Sequence, residues 1–375
     1  MELNKKQNAY VSILLLVCAA AVIGLAAPSY LAMRKPDVIR KGPGVTRIAH
    51  LSEYFPGIKD TVGDTDVYVL DSGKPGGSAL VLGGTHGNEP AGFMAAIVLV
   101  ENAIPAEGRL FVIPQANASG LTHADPMEGT PHSITIEAAS GKRVFRFGSR
   151  ATNPIDQWPD PDIYIHAASG QQLSGSETRN LNRAYPGRPN GTFTEKVAYA
   201  ITSLIEKEAI DITIDLHEAS PEYPVINAIV AHERAMPLAS EVLLDLEFQD
   251  ITMGLEPSPK SLRGLSHREL GDATNTLAIL LEDTNPSQGR LRGKTDEALI
   301  IDGKDEMYVR AQKLGRLFVP FDEKGWPLST RVGRHVASVA AVFGTFTNQN
   351  PEKPLVVEGL PTYEELSAGR LDQYL

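Results

Sequence analysis

Three short runs dominated by aliphatic residues, Ala79–Leu82, Asp211–Leu216 and Leu277–Leu281, each break off at groups that can do chemistry. The first opens into Gly83-Gly84-Thr85-His86-Gly87-Asn88-Glu89-Pro90, the second into His217-Glu218 and the third into Glu282-Asp283. Aliphatic runs this short, bounded by Gly, Pro or Asp, read as buried strands rather than helices. Val67–Leu70, Leu110–Ile113 and Val225–Ala231 read the same way. Helical patterns separate the strands: Pro90 to Val100, with proline in its first turn, then Thr194–Lys207, Ala235–Leu246, Lys304–Leu317 and Thr330–Val342. Such alternation predicts an α/β fold, a three-layer α/β/α sandwich on a mixed, mostly parallel sheet. In sheets of this kind the ligand site lies beyond the carboxyl ends of the strands. The three breaks put His86, Glu89, His217 and Glu282 at such ends.

The pattern divides the 375 residues into four stretches. Residues 1–33 carry Lys5 and Lys6 ahead of an apolar run, Val11–Ala27, and read as a signal peptide or a membrane anchor. The chain is therefore expected to be exported or membrane-anchored, touching the membrane only through this segment. Residues 34–65 read as a linker and entry, 66–346 as the main α/β domain, and 347–375 as an irregular C-terminal tail. Within the domain, 115–178 is rich in Gly, Pro, Ser and Asp, too long for an ordinary connection, and reads as lids or binding loops. The balance of 35 basic and 46 acidic residues gives a net charge of −11, which lacks the electrostatic footprint for nucleic acid. Cys18 is the one cysteine, so there is no intramolecular disulfide and any metal must be held by His, Asp and Glu.

Four motifs carry the chemistry. His86 and Glu89 share a glycine-rich turn that can aim an imidazole and a carboxylate at one point. His217 ends a second strand, with Asp215 placed to support a neighbouring group. His, Glu and His with one open position is a catalytic zinc arrangement, so one zinc ion per chain is expected on His86, Glu89 and His217. Thr178-Arg179-Asn180-Leu181-Asn182-Arg183 brings together arginines and amides suited to holding a carboxylate and polarising a carbonyl oxygen. Glu282 is a candidate general base, with Asp283 its competitor. Arg263 and Arg268, in Arg263-Gly264-Leu265-Ser266-His267-Arg268-Glu269, are further candidates for a substrate carboxylate, against a blander reading as surface ion pairs. Gly289-Arg290-Leu291-Arg292-Gly293-Lys294-Thr295 echoes a phosphate loop, but the spacing between its glycines is one residue short.

Taken together, the motifs resemble those of the succinylglutamate desuccinylase/aspartoacylase family, a branch of the zinc carboxypeptidase superfamily. GGTHGNEP is similar to the family's first zinc motif, which implies His86 and Glu89 as ligands. DLH resembles the third-ligand motif and implies His217. LNRAYPG resembles the Asn-Arg motif, implying Asn182 and Arg183 as substrate and oxyanion contacts. LLEDT lies where the family places its catalytic glutamate, implying Glu282. The resemblance implies a zinc-dependent amidohydrolase that deacylates a small N-acyl amino acid. The alternatives are an exported metallocarboxypeptidase acting on short peptides, cell-wall peptides included, and a non-catalytic binding protein that keeps the fold. The family often has an arginine several residues before its Asn-Arg pair. Here Arg179 is nearer than that, and Arg143, Arg146 and Arg150 lie further back. Family members commonly add a β-rich carboxyl-terminal domain, whereas Leu328–Phe346 reads as a packing helix.

Overall fold

The computed structural model describes residues 5–125 and 128–375, so the first four residues of the amino-terminal segment lie outside it. The chain begins with α1 (Lys5–Ala32), β1 (Val45–His50), β2 (Asp66–Asp71), β3 (Ser78–Leu82), α2 (Pro90–Asn102), β4 (Ile104–Glu107) and β5 (Arg109–Ile113). Two hairpins follow, β6 (Ser133–Ala138) with β7 (Gly141–Arg146), and β8 (Ile163–Ile165) with β9 (Gln172–Ser174). The middle of the chain forms α3 (Phe193–Glu208), β10 (Ile212–Ala219), β11 (Ala228–Ala231), α4 (Met236–Phe248), β12 (Gly254–Pro257), α5 (Ser266–Ala273) and β13 (Leu277–Thr284). It closes with α6 (Glu297–Asp302), α7 (Glu306–Lys313), α8 (Leu328–Gln349), β14 (Val356–Glu358) and α9 (Tyr363–Ser367).

The three aliphatic runs become neighbouring strands at the centre of one sheet, ordered β1-β2-β5-β3-β10-β13-β11-β12. The β5/β3, β3/β10, β10/β13 and β11/β12 pairs are parallel and the other three antiparallel, so the sheet is mixed and mostly parallel as expected. Side chains alternate between its faces with a period of two. Ile212, Ile214, Leu216, Ile279 and Leu281 enter a core with α2, α4 and α8, while Leu80, Leu82, Phe111 and Ala278 pack with α3 on the other face. That is the three-layer sandwich. Close packing of α2 onto the sheet depends on Gly92, where an added Cβ would lie 2.4 Å from the carbonyl oxygen of Leu216. Gly84, at φ +64°, turns the chain from β3 toward the His86 loop in a conformation glycine adopts without steric cost.

Several stretches that read as irregular are built into this body. The 34–65 segment contributes β1 to the sheet edge. Ahead of it, Met33 is buried, and Asp37 forms an ion pair with Arg146 in which both side chains are almost fully enclosed. The 115–178 stretch contains both small hairpins. The carboxyl-terminal 347–375 stretch adds β14, which pairs with β4, and α9, which packs on α8. These elements are short or sit on edges, so their sequences lack the aliphatic runs that mark central strands. Helix α1 is long and apolar enough to cross a membrane, with none of its most apolar stretch buried. Its carboxyl-terminal end meets the body, where the Tyr30 ring lies 4.2 Å from that of His132.

Helix α8 presents a row of polar groups to the underside of the sheet. Arg331 forms a wholly buried ion pair with Glu218, and Arg334 donates from Nε to Asp283 Oδ1 at 2.9 Å. His335 is buried beside them, and burial lowers its pKa to about 4; Asp283 opposes this shift, while Arg334, His217 and Arg331 reinforce it. An unfolded histidine titrates near 6.5, so between these values the unfolded chain binds the extra proton. Stability is then lost as pH falls from about 6.5 toward 4. The loss from this one group is on the order of 2 kcal/mol between pH 8 and pH 5. Thermal melts across that range should show the decline, and His335→Gln should flatten it. An equally steep decline in the variant would assign the effect to other groups.

Candidate active site

The parallel register of β10 and β13 places His217 directly beside Glu282. Both side chains leave the sheet on the face opposite α8, and Asp215, two residues earlier, shares that face. The loop after β3 carries His86 and Glu89 to the same place, and Glu89 is the residue from which α2 starts, with Pro90 at its first position. A turn and two strand ends therefore converge at the carboxyl edge of the sheet.

His86, Glu89 and His217 are all buried, and one ligand atom from each lies within 4.8 Å of the others. Nδ1 of His86 is 2.7 Å from Glu89 Oε1, and Nδ1 of His217 is 2.9 Å from Glu89 Oε2. The outer nitrogens are held as well. Nε2 of His86 donates to Asn180 Oδ1 at 2.9 Å, and Nε2 of His217 donates to Asp215 Oδ2 at 2.8 Å. Asp215 is fixed in turn by the Thr85 and Ser266 hydroxyls, at 2.9 and 2.6 Å. With Nε2 as the donor, Nδ1 of a neutral imidazole carries a lone pair.

Burial lowers the His86 pKa to about 4, so near neutral pH its Nδ1 lone pair faces a carboxylate oxygen, a contact that calls for a cation between them. Burial also works against the charged form of His217, but Asp215 and Glu89 outweigh it and hold that group well above its usual value. The two imidazoles in turn hold Glu89 well below the ordinary carboxylate range, against its burial. Two buried carboxylates around two inward-facing imidazole nitrogens form an arrangement that attracts positive charge. The donor set fits a divalent metal, and His, Glu and His suit zinc. The outer partners, Asn180 and Asp215, are of the kind that orient metal-binding histidines.

These residues open into a cavity of about 450 Å³ whose lining includes Glu282, Asn182, Arg183, Arg150, His267 and Tyr223. Burial raises the Glu282 pKa to about 8; His217 and Arg150 oppose the shift, and Glu89 and Asp215 add to it. Arg183 is largely buried, with Nη1 donating to the Asn182 carbonyl at 2.6 Å and Nε 3.7 Å from Glu177. Asn182 Oδ1 accepts from the Ser266 backbone N–H at 2.8 Å, which fixes its amide at the cavity wall. His267 is kept neutral by burial, its pKa lowered to about 3, and its Nδ1 lies 2.8 Å from the Ser258 hydroxyl.

The structure gathers His86, Glu89, His217, Glu282, Asn182 and Arg183 around one cavity. It does not bring Arg179, Arg263 or Arg268 there. Arg179 makes a forked pair with Asp160, at 2.7 and 2.9 Å. Arg263 makes one with Glu269, at 2.7 and 2.9 Å, and also reaches Asp272. Arg268 is buried against Glu233. Besides Arg183, the guanidinium at the cavity wall belongs to Arg150, 43% exposed and 4.0 Å from Glu89 Oε1. Arg150 comes from the long 115–178 stretch, and no local pattern distinguishes it from Arg143 and Arg146, which are tied to Glu101 and Asp37. His267 lies inside a segment singled out for its arginines, on a helix whose residues from Ser266 to Gly271 are all buried.

No protein-family model matches the chain. Over 168 residues it is 26% identical to the N-alpha-acetyl-L-2,4-diaminobutyric acid deacetylase of Halomonas elongata, a match covering 44% of this chain and 35% of that one. The chain thus spans about a third of the length of this curated relative. Among solved structures it is similar to a succinylglutamate desuccinylase/aspartoacylase from Rhodobacter sphaeroides, with 17% identity over 61% of this chain and 54% of that one and a TM-score of 0.36. It is also similar to a metallo-carboxypeptidase from Burkholderia cenocepacia, with 12% identity over 86% of this chain and 68% of that one and a TM-score of 0.47.

Proposed function

We propose that the chain is a zinc-dependent amide hydrolase that removes the acyl group from an N-acyl amino acid. The observation that carries this reading is the meeting of His86, Glu89 and His217 with Glu282 and Arg183 in one cavity. His86, Glu89 and His217 would hold the metal, which when bound supplies an activated water and polarises the scissile carbonyl. Glu282 takes a proton from the attacking water on its carboxylate oxygen and passes it to the departing amine. Burial raises this carboxyl above the ordinary carboxylate range, which helps it hold the proton between the two steps. The Arg183 guanidinium faces the developing oxyanion, a contact that contributes about 3 kcal/mol in comparable sites. Asn182 and Arg150, both at the cavity wall, are placed to hold a substrate carboxylate. Neutral His267, aimed into the same space, adds a hydrogen bond without adding charge.

A second reading, an exported carboxypeptidase acting on short peptides, draws on two features. The cavity of about 450 Å³ has room for more than a small N-acyl amino acid, and helix α1 suits a protein that is exported or anchored at a membrane. One assay separates the two. The full chain, loaded with zinc in detergent, is given N-acyl amino acids and free-carboxylate peptides, and amine release is measured. Turnover restricted to N-acyl amino acids is expected. Turnover restricted to peptides would establish the carboxypeptidase, and stoichiometric zinc with turnover of neither would favour a binding protein.

A further inference from the structure

The catalytic cavity runs past its catalytic groups toward the edge of the sheet, and the strand registers show what paves it. Asp215 pairs with Leu280, Leu280 with Val230, and Val230 with Glu256. One row of side chains therefore crosses β10, β13, β11 and β12 on the face that carries His217 and Glu282. Leu280, Val230 and Glu256 all line the cavity, as do Leu262 and Leu265 from the loop after β12. Neighbouring strands stand about 4.8 Å apart, which puts Glu256 roughly 10 Å from the strand that carries Glu282.

This arm of the cavity is apolar as far as its outer end, where two polar groups have nothing to hold. Glu256 is exposed at the wall and makes no hydrogen bond or ion pair among the described residues. Lys260, the nearest cation in sequence, pairs with Glu233 instead, at 3.0 Å. His267 is only 5% exposed, and its ring is fixed through Nδ1, 2.8 Å from the Ser258 hydroxyl. Its Nε2 makes no hydrogen bond among the described residues and is open to the cavity. Ser258 extends the β12 ladder, its N–H donating to the Ala231 carbonyl at 2.8 Å. It stands two residues beyond Glu256, so the two side chains leave one face about 7 Å apart, and the imidazole bound to Ser258 is a neighbour of Glu256. Buried polar side chains are nearly always paired in folded proteins, so a free imidazole nitrogen beside a free carboxylate points to a ligand.

The chemistry of the pair narrows the class. A carboxylate only accepts hydrogen bonds, and a neutral imidazole whose Nδ1–H donates to Ser258 also accepts at Nε2. A partner for both must donate, and an ammonium, with three donors and a positive charge, satisfies both at once. The guanidinium groups of the cavity serve elsewhere, Arg150 4.0 Å from Glu89 and Arg183 3.7 Å from Glu177. We propose that this arm is a specificity subsite for a substrate side chain with an apolar stem and a terminal ammonium. The stem lies on Leu280 and Val230, and the ammonium sits between Glu256 and His267. The span suits a stem about as long as the four carbons of lysine. The inference deepens the hydrolase reading and rests on it for the word substrate, though not for the binding itself.

The test gives the zinc-loaded full chain, in detergent, Nα-acetyl-L-lysine and Nα-acetyl-L-norleucine, which differ only in the terminal ammonium. Hydrolysis is expected to favour the lysine compound about tenfold in kcat/KM, the worth of a hydrogen bond to a charged group. Glu256→Gln should remove most of that preference, and Glu256→Asp, which keeps the charge on a shorter stem, should retain part of it. Calorimetric titration in the Glu282→Gln background reads the same preference as affinity. Equal kcat/KM for the two compounds, or a lysine preference that survives in Glu256→Gln, would overturn the subsite and leave the hydrolase reading standing. Tighter binding of the lysine compound that depends on Glu256, in a protein that hydrolyses neither, would keep the subsite and remove the hydrolase reading.

Discussion

Glu282→Gln is expected to lower kcat for amide hydrolysis by about 10²- to 10⁴-fold, the range general acid–base groups contribute, while zinc content stays at one per chain. The substitution keeps the size of the side chain and removes its ability to take and return a proton. Glu282 is not among the three grouped ligand residues, so metal content should not follow the loss. Its neighbour Asp283 cannot substitute for it. Successive residues of a strand face opposite sides, and Asp283 points under the sheet to Arg334. Asp283→Asn should therefore reduce stability and leave most of the activity in the protein that folds. Full activity in Glu282→Gln would remove the carboxylate from the mechanism. Lost activity together with lost zinc would move its role to the metal site.

The second large effect is on stability. Arg331→Met is expected to destabilise the fold by about 3–5 kcal/mol, the usual consequence of leaving a buried charge without its partner. Both members of the Arg331–Glu218 pair are fully enclosed. Even with Arg331 present, burial pushes the Glu218 carboxyl up to about 7. Without the guanidinium, Glu218 must either stay charged, buried and without its ion-pair partner, or take up a proton. Its Oε2 also accepts the Ala91 N–H at 2.7 Å, at the start of α2, so disturbance there reaches the helix that begins at Glu89. The double variant Arg331→Met with Glu218→Gln should recover much of the loss, because the unpaired charge is gone. Chemical denaturation of the three proteins measures both effects. A single variant within about 1 kcal/mol of wild type would mean that water or a rearranged side chain already compensates Glu218.

Local sequence and tertiary packing contributed differently to the site. The convergence of His86, Glu89, His217 and Glu282 was legible because backbone geometry over a few residues decides it. Short aliphatic runs become central strands, a glycine-rich turn follows one of them, and a period of two puts Asp215 and His217 on one face. Parallel pairing of adjacent strands then brings strand ends to one edge. The same reasoning placed the sandwich and its mixed sheet, and passed over β1, β14 and the two hairpins, which lack a central strand's aliphatic run.

The arginines show where this kind of reasoning stops. A guanidinium sits on a long flexible stem and goes to whichever carboxylate the folded chain sets near it. Asp160 takes Arg179, Glu269 and Asp272 take Arg263, and Glu233 takes Arg268. Arg150 is left to reach the cavity from a stretch whose path depends on contacts distant in sequence. Sequence by itself determined the residues that turns and strand ends present, because their geometry is fixed within a few peptide units. Only the tertiary structure decided which cations remain free to meet a substrate, because that depends on every carboxylate the fold brings within reach.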